Sequence, residues 1–201
     1  MDSTILNRLN AVIDSNCIRV RVDVDGAGIN YPISVDVEHN EQGEMVCIGA
    51  YDRVTREAHI WTKITPFVKE TLEQAKLIMH NGVTDLECLR SWGIDVKDYQ
   101  LIWDTMLIGH ILDSSLHDYG LKEMAKRELG IEYPSYEEIV GNHKGKTKDK
   151  PKCPQTEVGC CGRITLDKQP LEVKVKYNTC DCFVTDKIQQ LQEKAIGALN
   201  V

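Results

Sequence analysis

Between Ile33 and Thr62 the chain runs through three short apolar segments, ISVDVEH, MVCIGAYD and EAHIWT, parted only by EQGE and DRVTR. Runs of this length, rich in β-branched residues and bounded by turn residues, read as strands, and connections this short join only antiparallel neighbours. Any fold open to the chain must therefore contain an antiparallel meander. After it the period changes. A helix is expected over about 65–75, then the strand LIMHN and a helix from TDLE to about Trp92, ended by Gly93. The strand LIWDT, the helix TMLIGHILD and the helix DYGLKEMAKRELG, closed by Gly130, follow. Strands and helices in alternation build a sheet whose faces are covered by helices. The expected class is α/β, a mixed sheet of meander plus parallel strands flanked by helices.

Finer expectations attach to this frame. Thr84, with Glu87 three residues on, predicts a capping box at the start of the second helix. Asp104 reads as the cap of TMLIGHILD. A long last helix is expected over about Leu171–Ala195, with Pro170 near its start and an apolar stripe of Val184, Ile188, Leu191 and Ala195. Residues 4–14 read as a short amphipathic helix and CIRVRVDV as an exposed strand, making 1–30 an N-terminal extension. The stretch 141–168 has no periodicity and reads as an inserted surface loop rich in Lys and Cys. All 201 residues then form one domain, which 42% hydrophobic content suits.

The net charge of −7 disfavours a protein that coats nucleic acid with its whole surface. It leaves open one that meets phosphates through bound metal ions. No apolar run reaches a membrane-spanning length, and MDSTILNRLNAVIDSN lacks the basic and apolar blocks of a signal peptide. A cytoplasmic setting is expected, with the eight cysteines as reduced thiols.

Chemistry points to four acids. Asp36 and Glu38 lie two apart in a strand and project from the same face. Two acids on one face of so apolar a strand are costly unless a cation joins them. On the tripeptide alone, the commoner reading is an edge strand with its acidic side in water. Asp85 opens a helix after a strand, where the helix dipole already favours an acid. Tyr177 and Asp181 lie four apart on the last helix and share a face. Each is unremarkable by itself; their order and setting are not.

D-x-E on a first core strand, HN-x-x-x-D after a strand and Y-x-x-x-D on a late helix together resemble the three exonuclease motifs of the DEDDy branch of the DnaQ-like, ribonuclease H-like superfamily. More narrowly, the chain resembles the proofreading domain of family A DNA polymerases. LIMHNGVTDLECL, WDTMLIGHILD, YGLKEMAKRELGIEYPSYEEIVG and VKYNTCDCFVTDKIQQL carry that narrower likeness, which spans roughly 32–196. It implies a ribonuclease H-like fold and a 3′-5′ exonuclease that hydrolyses a single-stranded or frayed DNA 3′ end to nucleoside 5′-monophosphates. It implies that Asp36, Glu38 and Asp181 ligate one divalent cation, that Asp36 also serves a second, and that Asp85 holds the second through water. Tyr177 would orient or help deprotonate the attacking water. The sister branch has His five residues before the last Asp, where this chain has Lys176.

Physical chemistry agrees with that set. Phosphodiester hydrolysis puts negative charge on attacking and leaving oxygens, and two cations about 4 Å apart stabilise both. Oxygen ligands favour Mg²⁺ or Mn²⁺. The chain departs from the family at Val37, where Thr is usual, and in the HNEQG that follows, so its hold on the terminal nucleotide differs. His39, Asn81, Lys144 and Lys146 are the candidate substrate contacts; His39 also reads as a solvated turn residue, and His80 and Asn81 as structural. The loop lysines either touch a nucleic-acid backbone or keep the loop soluble. Cys153, Cys160 and Cys161, with His143 nearby, fit zinc poorly, because zinc sites use C-x₂₋₄-C pairs. Cys180 and Cys182 read as helix packing. Two rival readings remain at this point: a ribonuclease D-like RNA exonuclease and a non-catalytic nucleic-acid-binding module. A polymerase domain or protein is a possible partner, since the chain stops where such a domain would begin.

Overall fold

The computed structural model describes residues 3–26, 28–140 and 165–199. Lys144, Lys146, His143, Cys153, Cys160 and Cys161 lie outside the described residues. The meander is present as β2 (Ile33–His39), β3 (Met45–Asp52) and β4 (Glu57–Trp61), paired antiparallel in sequence order. Parallel strands extend it on both sides. β5 (Leu77–Met79) joins β2 and β6 (Leu101–Asp104) joins β5, while β1 (Arg19–Val22) lies along β4. The six-stranded order is β1-β4-β3-β2-β5-β6.

Strand alternation divides the core in two. Ile33, Val35, Val37, Ile48 and Ala50 face α2 (Pro66–Gln74) and α3 (Gly82–Ser91), which bring Val68, Leu72, Leu86 and Leu89. The opposite face is covered by α7 (Leu171–Leu199), with α1 (Ser3–Ser15) packed beside it through Leu9, Val12 and Ile13. α4 (Thr105–Leu112) leans on α7. α5 begins at Leu121 as an α-helix to Met124 and continues as a π-helical turn, Ala125–Leu129, before Gly130 ends it at φ +67°. A short α6 (Tyr136–Val140) follows. Among the described residues no helix is long and apolar enough to cross a membrane.

Two local expectations are corrected. α3 starts at Gly82, two residues before Thr84, so the Thr84–Glu87 capping box does not form, and both side chains are exposed. Asn81 sits left-handed at the cap (φ 57°), and the first amides are satisfied from another element. The Asp104 carboxylate accepts from Asn81 N (3.2 Å) and Gly82 N (2.8 Å) as well as from Met106 N (2.9 Å) and Leu107 N (3.2 Å). One acid thus caps α3 and α4 together, where the sequence suggested α4 alone.

The second correction concerns α7. Val184 and Ile188 are buried, but Leu191 and Ala195 are exposed. The buried line continues instead through Thr185, Asp186, Gln189 and Gln192. Each meets a polar partner where one is needed: Arg53 reaches Asp186 and Gln189 at 2.8 Å, and Gln192 accepts from Trp103 Nε1 (2.9 Å) and donates to Thr105 O (2.7 Å). Buried polar groups are tolerated when so paired.

Candidate active site

Asp36 and Glu38 project from β2 toward α7, the face opposite Val35 and Val37. α7 crosses this face with Tyr177, Asn178, Asp181 and Cys182 turned inward. It comes close because β3 carries Gly49 directly opposite Asp36. A Cβ on Gly49 would lie 1.7 Å from Asn178 Oδ1 and 2.8 Å from Cys182 Sγ. Glycine in a strand here marks a close backbone approach. The space it leaves lets Asn178 Nδ2 donate to Asp36 Oδ2 at 2.7 Å and reach its carbonyl at 3.3 Å.

Asp36, Glu38 and Asp181 converge so that one carboxylate oxygen from each lies within 4.8 Å of the others. Asp85, in the first turn of α3, stands outside that trio but within its field. Burial, and then the charges of Glu38, Asp181 and Asp85, push the Asp36 carboxyl well above the usual carboxylate range. Burial and Asp181 push Glu38 up to about 8. Asp85 is pushed up to about 7 by burial, Asp104 and Asp181. Like charges this close cannot all ionise without a cation. The donor set is all carboxylate oxygen, which fits a hard divalent ion such as Mg²⁺ or Mn²⁺ and not zinc's usual N/S shell. Cys180 and Cys182 are fully buried, Cys180 packing toward Leu9 O (3.8 Å), in keeping with a packing role.

Tyr177 lies on the same face of α7 as Asp181 and, with it, lines a cavity of about 480 Å³. Asp36, His80, Gly120, Lys122 and Tyr136 share that lining. Burial, then the Asp181 charge, raises the Tyr177 pKa and keeps the phenol protonated in the metal-free cluster. Two further residues meet Asp181 Oδ1: Tyr133 OH at 2.5 Å and Lys122 Nζ in a short ion pair. His80 pairs with Thr105 Oγ1 (2.8 Å). His39 is exposed at the end of β2 with Nδ1 2.9 Å from Asn40 O, and neither it nor Asn81 lines the cavity. Asn178, Tyr133 and Lys122 were not singled out from the sequence.

The profile of the family described as 3'-5' exonuclease matches residues 27–196. The chain belongs to that 3'-5' exonuclease family. No curated protein matches the exonuclease by sequence. Its fold is similar to that of the apo form of a nuclease, at TM-score 0.61 and 11% identity over 91% of this chain and 83% of that one. It is equally similar to NrnC of Brucella melitensis with bound Mg²⁺, at TM-score 0.60 and 12% identity over 91% and 84% of the two chains. The exonuclease has the ribonuclease H-like fold that these likenesses imply.

Proposed function

We propose that this exonuclease removes nucleotides from a single-stranded or frayed DNA 3′ end, releasing nucleoside 5′-monophosphates by two-metal hydrolysis. The observation that carries the reading is the convergence of Asp36, Glu38 and Asp181 oxygens within 4.8 Å beside a cavity that Tyr177 lines. Asp36, Glu38 and Asp181 would hold one cation, Asp36 would share a second, and Asp85, standing off the trio, would reach the second through water. When bound, the cations supply Lewis acidity and a water of lowered pKa. Mg²⁺ is the favoured ion, because the donors are hard oxygens and a protein of similar fold, NrnC, holds it.

The chain's own residues do the remaining work. Asn178 fixes the Asp36 carboxylate through Oδ2. Tyr133 fixes Asp181. Tyr177, on the cavity wall beside Asp181, would orient the attacking water or help deprotonate it. The acids are partly buried against α7, which favours a 3′ end whose terminal base is unpaired over a blunt duplex.

The test is a 5′-labelled oligonucleotide, as single strand, as blunt duplex and as an RNA of the same sequence, incubated with Mg²⁺. A one-nucleotide ladder is expected, fastest on single-stranded DNA and abolished by Asp36→Ala and Glu38→Ala. Faster digestion of the RNA would transfer the substrate to RNA. A ladder that survives both substitutions would remove these acids from the reaction.

A further inference from the structure

The strongest unexplained feature beside the acids is a lysine. Lys122 lies in the first turn of α5, where the helix dipole disfavours a cation. A residue placed against its local preference is held there by something else. Its ammonium is paired with Asp181 Oδ1 and sits 4.0 Å from the Tyr133 ring centroid and 4.4 Å from that of Tyr177. Two aromatic faces and a carboxylate form a cage for a cation. The side chain is three-quarters buried, at 24% exposure, against 7% for Asp181. Among the described residues, Lys122 is the cation whose charge offsets those of Asp36 and Glu38.

We propose that Lys122 is the resident counter-ion of the acidic site, balancing it before metal binds and competing with the divalent cation for Asp181. This rests on the reading of Asp36, Glu38 and Asp181 as metal ligands. The cation must take an Asp181 oxygen, and Oδ1 already carries the ammonium and the Tyr133 hydroxyl. The ammonium and an incoming cation repel each other across this one carboxylate, so loading the site favours release of the ammonium from its cage. Lys122 also lines the cavity, which gives the displaced side chain somewhere to go. The metal-free protein gains a neutralised site, and the metal-bound form gives up one ion pair. Lys122 thus acts on the site through its charge on Asp181 and not by contact with substrate.

The proposal predicts an effect opposite in sign to that of a merely structural lysine. If Lys122 only held Asp181 in place, its removal would loosen a ligand and weaken metal binding. A competitor's removal tightens it. The experiment is Mn²⁺ binding to the full chain, without nucleic acid, followed by electron paramagnetic resonance of the free ion. Lys122→Met is expected to bind Mn²⁺ roughly tenfold more tightly at low salt, since a unit positive charge leaves the contact shell of a ligand. Its metal-free form should melt at lower temperature than the unaltered protein. Lys122→Arg keeps the charge and should bind Mn²⁺ about as the unaltered protein does, which guards against a Met variant that folds poorly. Unchanged or weaker binding by Lys122→Met, or equal tightening by Lys122→Arg, would overturn the proposal alone. An unaltered protein that binds no Mn²⁺ would overturn the metal-site reading and this proposal with it.

Discussion

At the scale of single residues, the site depends on side chains whose work is to hold other side chains. Asn178 is fully buried within a helix, a position asparagine does not favour by propensity. Its amide is committed to Asp36 Oδ2 and to the β2 backbone. Removing such a partner of a metal-holding carboxylate costs about 10–100-fold in metal affinity or activity. Asn178→Ala should show a loss of that size in Mn²⁺ titration or in single-turnover hydrolysis, with the fold retained by circular dichroism. An unaltered Mn²⁺ affinity would mean that Asp36 needs no such support. That Asp36, Glu38 and Asp181 would meet, with Tyr177 beside them, was legible because the motifs of the resembled family mark them at fixed order. Asn178, Tyr133 and Lys122 were not, since nothing in KYNTCD, EYPSY or GLKEM says that they meet Asp36 or Asp181. The one local hint was Lys122, a cation at a helix start.

At the scale of elements, the approach of α7 to β3 sets the geometry. Gly49 is the contact point, and its glycine is required by space alone, because an added Cβ meets Asn178 at 1.7 Å. Gly49→Ala must push α7 off the sheet or turn Asn178 away from Asp36. Overpacking of this kind costs about 1–3 kcal/mol. A lower urea midpoint with unchanged m-value is expected, together with weakened Mn²⁺ binding. If stability falls and metal affinity does not, then α7 can shift without moving the acids. Two strands of the meander were readable to the residue, since β2 and β3 span the segments ISVDVEH and MVCIGAYD that alternation and turns delimit, while β4 stops at Trp61, one residue short of EAHIWT. Helix starts were less readable. α3 begins at Gly82 because a carboxylate from β6 caps it across space, and the sequence around Thr84 contained a plausible but unused local cap. The apolar stripe of α7 failed beyond Ile188 for a related reason. Gln189 and Gln192 find polar partners in Arg53 and Trp103, which lie far away in the chain.

At the scale of the whole molecule, three acids from opposite ends of the chain share one small volume, at an electrostatic cost in the metal-free state. A ligand that binds only the folded form adds stability by mass action, about 2.7 kcal/mol at a hundredfold excess over Kd. For a chain of this size that corresponds to a rise in Tm on the order of 5–10 °C. Differential scanning calorimetry should show such a rise with Mg²⁺ or Mn²⁺, reversed by EDTA and absent in Asp36→Ala. A metal-induced rise that persists in Asp36→Ala would place the stabilising ion elsewhere.

The meander, the alternation of helices after it, and, through the family resemblance, the meeting of Asp36, Glu38 and Asp181 follow from the sequence by itself. They rest on short-range periodicity and on motifs that are local in the chain. The tertiary structure alone decided which residues complete the site: Asp104 capping two helices, Gly49 admitting Asn178, and Lys122 caged between Tyr133 and Tyr177. Each of these is a contact between segments remote in sequence, and such contacts depend on distances that only the packed sheet and helices set.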